Sequence, residues 1–484
     1  ISIGLSALFH VKFIIYMQQQ RRGPSIPRKV TGQRQTQGQL AQKDTKFQVV
    51  SKAPNSKKQL QSNASNGAIP ANSIRYYCTF VNTIADVLAN RGWQEVENED
   101  EPWDFVWADR EWIYAAFDKM HLENWQRLNH YRNGRELCRK DLMAKNLKKR
   151  RRTLEKEGRL EEAAAYDFIP TTFVLPREYS MFVEEFKKVG GVWIMKPIGS
   201  AQGKGIFLFT RLSEVSDWKT DFKAYKPGPI APKGGPSDDI EAYVVQRYLQ
   251  YPLLIGGKKF DMRLYALVTS FSPLKVYQYR RGFARFTNSR YSSDIQDIYN
   301  GFVHLTNVAI QKTAENYDER TGGKMELQAL KMYLMSRYGV ERVDALFWEM
   351  QLIILRALLA VQHVMINDKH CFELYGYDLI IDQDLKVWLL EVNASPSLTA
   401  NTRDDYLMKT EMLHGMLDVV DMEQLLEGDE EHISGWDLIY DNGYIEIDPE
   451  QCGYTTFLGA AIPKLESDED SVGRVDASKF DLAK

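Results

Sequence analysis

Cysteine is scarce. The chain of 484 residues has four, Cys78, Cys138, Cys371 and Cys452, far apart and without a C-x-x-C pair. That spacing argues against a disulfide framework and fits a reducing, cytosolic compartment. Long apolar runs are also missing. Residues 1–16 are largely apolar, but His10 and Lys12 interrupt a stretch already too short to span a bilayer. Nor does it have the basic start and small-residue cleavage site of a secretory signal. No membrane partner is expected. The chain opens on Ile rather than Met, so Met17 is the expected start and 1–16 is expected to stand outside the fold. Internal repeats, a P-loop and a dinucleotide fingerprint are absent, and no Ser-His-Asp or Cys-His set offers a side-chain nucleophile. Net charge is only −3. It masks local asymmetry, and no nucleic-acid partner is expected.

What is present is enough apolar sequence, 44% of residues, to bury a large core in two or three lobes. Residues 1–70 read as a disordered basic arm, rich in Gln, Ser, Asn, Lys and Arg with one acid, Asp44. Residues 71–165 read as an N-terminal α/β lobe ending in one long helix from Gly134 to Ala165. That helix carries Lys145, Lys148, Lys149, Arg150, Arg151 and Arg152, a face suited to an acidic polymer. Pro170 ends it. Strands and helices then alternate through a central lobe, 166–255, with a Pro/Gly-rich surface loop at 226–239. Long strands FDMRLYALVTSF and LKVYQYRRGFARF open a further lobe, 256–426, and an extension with the acidic run ESDEDS closes the chain at 427–484. Antiparallel strands and helices in blocks predict an α+β fold.

Polar chemistry gathers at four places. The turn Lys196-Pro-Ile-Gly-Ser-Ala-Gln-Gly-Lys-Gly205 lies between two strands, a flap whose glycines allow backbone N–H groups to approach phosphates. In the strand Lys259–Arg263, alternation puts Lys259, Asp261 and Arg263 on one face and Phe260, Met262 and Leu264 on the other. Arg285 is positioned to share that face, and His304-Leu305-Thr306-Asn307 and Lys312 follow. Finally, Phe372–Leu398 reads as a hairpin about the turn Gln383-Asp384. Pairing Asp382 with Leu385 places Asp378 opposite Leu389, on one face with Glu391 and Asn393. Two carboxylates and a carboxamide are hard oxygen donors of the kind Mg²⁺ takes.

WIMKP, QGKGI, VVQRYL, KFDMR, HLTN, FELYGYD and WLLEVNASPSL occur in this order, and together they resemble the tubulin tyrosine ligase-like enzymes over residues 76–425. CFELYGYD and LLEVNASPSLT look most like the glutamylase branch, in particular its small single-core members of ciliary axonemes. The resemblance implies an ATP-grasp fold and a Mg²⁺·ATP-dependent carboxylate–amine ligase. Lys196 would hold phosphates beneath a flap containing Gln202 and Gly203. Gln246, Arg247, Tyr248 and Leu249 would hold adenine by backbone hydrogen bonds and apolar contact. Lys259, Phe260 and Asp261 would contact the nucleotide, with Thr306 and Asn307 beside its phosphates and Lys140 a further candidate there. Asp378, Glu391 and Asn393 would bind Mg²⁺. Arg263 and Arg285 would serve as the catalytic cations, and Arg285 with Lys312 would grip the carboxylates of free glutamate. Ile198-Gly199-Ser200 lacks a basic residue that some relatives carry beside the flap.

The expected reaction joins free L-glutamate to glutamates of a tubulin tail through an acylphosphate, in the cytoplasm on the microtubules of a cilium or flagellum. An accessory complex stands among the expected partners. A glycylase remains open, although glycine would not need a second cation such as Lys312. So does a non-catalytic microtubule-binding protein, against which all three metal donors argue.

Overall fold

The computed structural model describes residues 69–199, 203–215, 242–315, 317, 323–394 and 396–462. The basic arm, residues 1–16, Gln202, the Pro/Gly-rich loop and the acidic run lie outside these. Four short strands, β1 (Arg75–Cys78), β2 (Gln94–Glu95), β3 (Phe105–Trp107) and β4 (Arg127–Leu128), form an all-parallel sheet in the order β2-β1-β3-β4. Helices α1 (Thr83–Asn90) and α2 (Arg110–Ala116) make the crossovers, each started by a side-chain cap, Asn82 and Asp109.

The single long helix expected from Gly134 to Ala165 is three: α3 (Arg135–Cys138), α4 (Lys140–Lys156) and α5 (Leu160–Ala164). Arg139 is extended, with ψ 124°, and Gly158 adopts φ +76°; each interrupts the helical run. On α4 the buried side is Met143, Ala144, Asn146, Leu147 and Leu154, while Lys145, Lys149, Arg152 and Lys156 are exposed at helical spacing.

A second sheet, antiparallel in the order β5-β8-β6-β7, comprises β5 (Thr172–Leu175), β6 (Trp193–Pro197), β7 (Phe207–Phe209) and β8 (Tyr243–Arg247). Helix α6 (Tyr179–Val189) covers one face, where Phe182 packs edge-on against Trp193 and Phe209.

The third sheet has nine strands. Its spine is β10 (Lys258–Phe271), preceded by the short β9 (Leu254–Ile255). One edge of β10 pairs with β14 (Glu373–Ile381), which hairpins into β15 (Val387–Asn393). The other edge carries β12 (Phe283–Phe286) near its start and β11 (Leu274–Tyr279) near its end, so the run LKVYQYRRGFARF is two strands joined through Arg280-Arg281-Gly282. β13 (Lys324–Glu326) extends the sheet beside β12; β16 (His432–Ile433) and β17 (Trp436–Asp441) extend it beside β11. The sheet thus continues past residue 426. Between β12 and β14 run α7 (Gly301–His304), α8 (Val308–Gln311), α9 (Leu327–Tyr338) and α10 (Val340–Val361), and α11 (Arg403–Val420) follows the hairpin.

The alternation on β10 positions the site. Phe260, Met262 and Leu264 join the core formed with α10. On the opposite face Tyr265 and Leu267 are covered by the core of α11 and the first sheet, whereas Lys259, Asp261 and Arg263 meet polar partners. Among the described residues no helix is long and apolar enough to cross a membrane.

Candidate active site

A cleft opens between the second and third sheets. Its walls carry Lys196 from β6, Gln246 from β8, Lys259 and Asp261 from β10, Thr306 and Asn307 ahead of α8, and Asp378 and Glu391 from the hairpin. Lys140, at the start of α4, lies 3.7 Å from Glu391 through Nζ. Arg247, Tyr248 and Leu249 also line it. The Arg247 and Tyr248 N–H groups donate to Thr171 O (2.9 Å) and Val192 O (3.1 Å).

Two lysines are held by aimed acceptors. Lys196 Nζ donates to Gln246 Oε1 (2.8 Å), and Gln246 is itself oriented by donating to Thr172 Oγ1 (2.9 Å). Lys259 Nζ donates to Tyr248 Oη (3.0 Å) and His304 O (2.8 Å). Burial pushes the Lys196 ammonium down to about 8 and that of Lys259 to about 7. Burial, then Lys259, lowers His304 to about 4, so its ring is neutral. Its Nε2 donates to Asp297 O (3.0 Å) and its Nδ1 accepts from Tyr248 Oη (2.9 Å), the arrangement that lets Tyr248 accept from Lys259. This relay escaped the sequence reading, which took HLTN only as polar groups, since nothing local links His304 to Tyr248.

The β10 face forms an ion quartet. Arg285 grips Asp261 with Nε at 2.8 Å and Nη2 at 2.5 Å, and reaches Asp378 at 2.8 Å. Arg263 grips Asp378 with Nε at 2.5 Å and Nη2 at 3.1 Å. Register explains it: Asp261 faces Arg285 across β12, and Arg263 faces Asp378 across β14. Gly376 leaves the room, since a Cβ there would lie 3.1 Å from Arg263 Cδ. Burial alone would raise the Asp378 carboxyl, but Arg263 and Arg285 outweigh it and hold it well below the usual carboxylate range. Two acids balance two bases, so uncompensated positive charge in the cleft comes from lysines rather than from this quartet.

The hairpin differs from its expected register by two offsets. The turn is longer: Asp382 N–H bonds Lys386 O (3.0 Å), Ile381 faces Val387, and Leu385 takes φ +64°. The Asp382 carboxylate stabilises it by accepting from the N–H groups of Asp384 and Lys386. A β-bulge then falls between Leu389 and Glu391. Each offset is one residue, so parity is restored and Asp378 sits directly opposite Glu391, not Leu389. Leu389 instead faces Leu379 in the core, while Leu390 and Glu391 both line the cleft.

Phe260 is buried in the core against Phe286 and points away from the cleft. Lys312, like Arg263, Arg285 and Asn393, is not among the residues that line the cleft; it is exposed, and its Nζ donates to Asn401 Oδ1 at 2.5 Å. Gly203, φ +81°, rests against Asn307, whose Oδ1 would be 3.0 Å from an added Cβ. For a divalent ion the donor set fits. Glu391 and Asp378 are cross-strand neighbours, and Asn393 Nδ2 bonds Gly376 O and Glu391 Oε1 (both 3.4 Å), leaving its Oδ1 as the hard donor. Among the described residues no three His, Cys, Asp or Glu cluster as a complete site, so other ligands would be phosphate and water.

Two antiparallel sheets closing on a lysine-lined cleft, with an acidic hairpin at its far wall, define an ATP-grasp ligase. The profile of the Tubulin-tyrosine ligase family matches residues 118–428, and the chain belongs to that family. A protein named probable tubulin polyglutamylase TTLL9 of Bos taurus is 48% identical over 410 residues, 80% of this chain and 88% of the relative. Probable tubulin polyglutamylase ttll-9 of Caenorhabditis elegans is 45% identical over 372 residues, 76% and 85% of the two chains. Probable alpha-tubulin polyglutamylase Ttll1 of Tetrahymena thermophila is 44% identical over 350 residues, 70% and 83%.

Proposed function

We propose that the chain is an ATP-dependent tubulin polyglutamylase, joining free glutamate to glutamate side chains of tubulin tails. The observation that carries this reading is the convergence of Lys140, Lys196 and Lys259 on one cleft whose far wall is Asp378 and Glu391. The chemical problem is crowded negative charge. A triphosphate and a carboxylate must meet, and each pair of unit charges at ~4 Å repels by about 4 kcal/mol at an effective dielectric near 20. Lys196 and Lys259 supply counter-charge in place, and Gly203, which also lines the cleft, lets the backbone approach the phosphates closely. Mg²⁺ held by Asp378, Glu391 and Asn393 would polarise the transferring phosphoryl group. ATP transfers its γ-phosphoryl group to the acceptor carboxylate, giving an acylphosphate and ADP; the glutamate amine then attacks the acyl carbon, forming the amide and releasing phosphate. The quartet fixes Asp378 and Arg285 in orientation rather than adding net charge.

The exposed bases Lys145, Lys149, Arg152 and Lys156 on α4 suit an acidic tail. We place the reaction in the cytoplasm, on axonemal microtubules of a cilium or flagellum, with an accessory complex as a further partner. The test is incubation with microtubules, Mg·ATP and labelled glutamate, then intact-mass analysis of the tails. Added glutamate masses are expected, and Glu391→Gln is expected to abolish them at an unchanged melting temperature. Glycine masses, or full activity of Glu391→Gln, would overturn the reading.

A further inference from the structure

Lys259 is held twice by one residue. His304 ends the four-residue helix α7, and the carbonyl it leaves without a helical donor accepts from Lys259 Nζ at 2.8 Å. Its ring reaches the same ammonium by a longer route, through the hydroxyl of Tyr248. His304, Tyr248 and Lys259 all line the cleft, and all three are more than nine-tenths buried. The imidazole stands edge-on between the rings of Tyr248 and Tyr291, with centroids 5.6 Å away on each side. The Tyr291 hydroxyl donates its own hydrogen to Gln250 O (2.7 Å).

The partners dictate where each hydrogen goes. Asp297 O is a carbonyl and can only accept, so His304 Nε2 carries the proton of the neutral ring and Nδ1 presents a lone pair. The Tyr248 O–H then donates to Nδ1 (2.9 Å), and only lone pairs of Oη remain for Lys259 (3.0 Å). Two of the three ammonium hydrogens are taken by Oη and His304 O, and the third is left for the cleft. Without an acceptor at 304 the Tyr248 hydrogen could turn towards the ammonium and repel it.

We infer that His304 is a positioning residue: by taking the Tyr248 hydrogen, its ring fixes Oη as an acceptor and so sets the direction in which Lys259 offers its remaining N–H to the phosphates of the nucleotide. This role rests on the proposed reading of the cleft as an ATP site. The carbonyl contact survives replacement of the side chain, so the contribution of the ring can be measured by itself.

Calorimetry measures binding of Mg·ATP and of adenosine to the full chain and to His304→Leu, His304→Gln, Tyr248→Phe, His304→Leu/Tyr248→Phe and Lys259→Met. His304→Leu and Tyr248→Phe are each expected to weaken Mg·ATP about tenfold, the scale of one hydrogen bond to a charged group, with adenosine held within about twofold. The double variant is expected to match Tyr248→Phe alone, because the ring acts through that hydroxyl. His304→Gln keeps an acceptor for Tyr248 and a donor for Asp297 O, and is expected to recover most of the loss. Should leucine prevent folding, His304→Phe, a ring without an acceptor, carries the same comparison. If the losses add in the double variant, or if His304→Leu weakens ATP and adenosine alike, the ring only packs; the positioning role fails and the ATP site stands. The role fails in the same way if Lys259→Met binds Mg·ATP as tightly as wild type. If the wild-type chain binds no Mg·ATP, the ATP reading itself fails.

Discussion

Burial sets the charge of single residues in the cleft before any nucleotide arrives. Lys259 and Lys196 are pushed down to about 7 and about 8, first by burial, and Lys196 also opposes the charge of Lys259. An unfolded lysine titrates near 10.4. Between pH ~7 and that value the unfolded chain binds more protons than the folded one, so these groups' contribution to stability rises with pH; below ~7 their burial penalty is complete. A polyphosphate reverses the preference by favouring the charged amines. Calorimetry at pH 8, in buffers of different ionisation enthalpy, is therefore expected to show uptake on the order of one proton per ATP bound. Zero uptake would contradict the assignment of these lysines to the nucleotide. Alternation alone put Lys259, Asp261 and Arg263 on one face, but it could not show how deep they lie. Nor could it show that Asp378 and Arg263, 115 residues apart in sequence, are each other's partners. That pairing gives a second expectation: Asp378→Asn strands buried Arg263 and should cost about 3–5 kcal/mol in urea denaturation. A loss under about 1 kcal/mol would show that the quartet is not formed.

At the scale of the element, the hairpin places its donors by a cancellation. A three-residue turn with Leu385 left-handed shifts the register by one, and the bulge at Leu390 shifts it again. Period-two reading found the right face for Asp378 and Glu391 because two offsets preserve parity, and put Leu389 on the wrong one because a single offset does not. A turn governed by the carboxylate of Asp382 and a bulge leave little trace in apolar alternation. The bulge does more than correct register, since it brings both Leu390 and Glu391 to the cleft. Deleting Leu390 leaves the pairs Leu379–Leu389 and Asp378–Glu391 and their faces intact, but removes the local twist that aims Glu391. The deletion variant is expected to fold with a melting temperature within about 2–4 °C of wild type, the shift given by about 1 kcal/mol in a domain of 150–250 residues or more. Ligation should drop by about a hundredfold, the scale on which a misplacement near 1 Å acts. Retained turnover would mean that the bulge does not aim Glu391.

For the whole molecule, the seven ordered motifs made the ligase fold readable, because they line its cleft; the closing strand lies beyond them. The family match ends at residue 428, yet β17 pairs with β11 along 275–279, inside the nine-stranded sheet. Buried Arg280 is bound by Asp437 through Nη2 (2.6 Å) and Nε (2.8 Å) and lies over the Phe457 ring at 4.3 Å. Trp436 is fully buried between Tyr279 and α11, with its Nε1 on Met412 O (3.0 Å). Ending the chain at 428 would remove Trp436, Leu438, Ile439, Phe457 and Leu458 from the core. At about 1.5–3 kcal/mol for each large side chain, that loss is on the order of 10 kcal/mol, as large as the net stability of a typical domain. It would also leave Arg280 buried without its carboxylate and uncover the edge of β11 for pairing with other chains. The truncated chain is therefore expected to be insoluble or aggregated by size-exclusion chromatography, whereas a chain ending at 462 keeps the wild-type melting temperature. A monomeric, normally melting 428-residue form would show that the catalytic sheet is complete without β16 and β17.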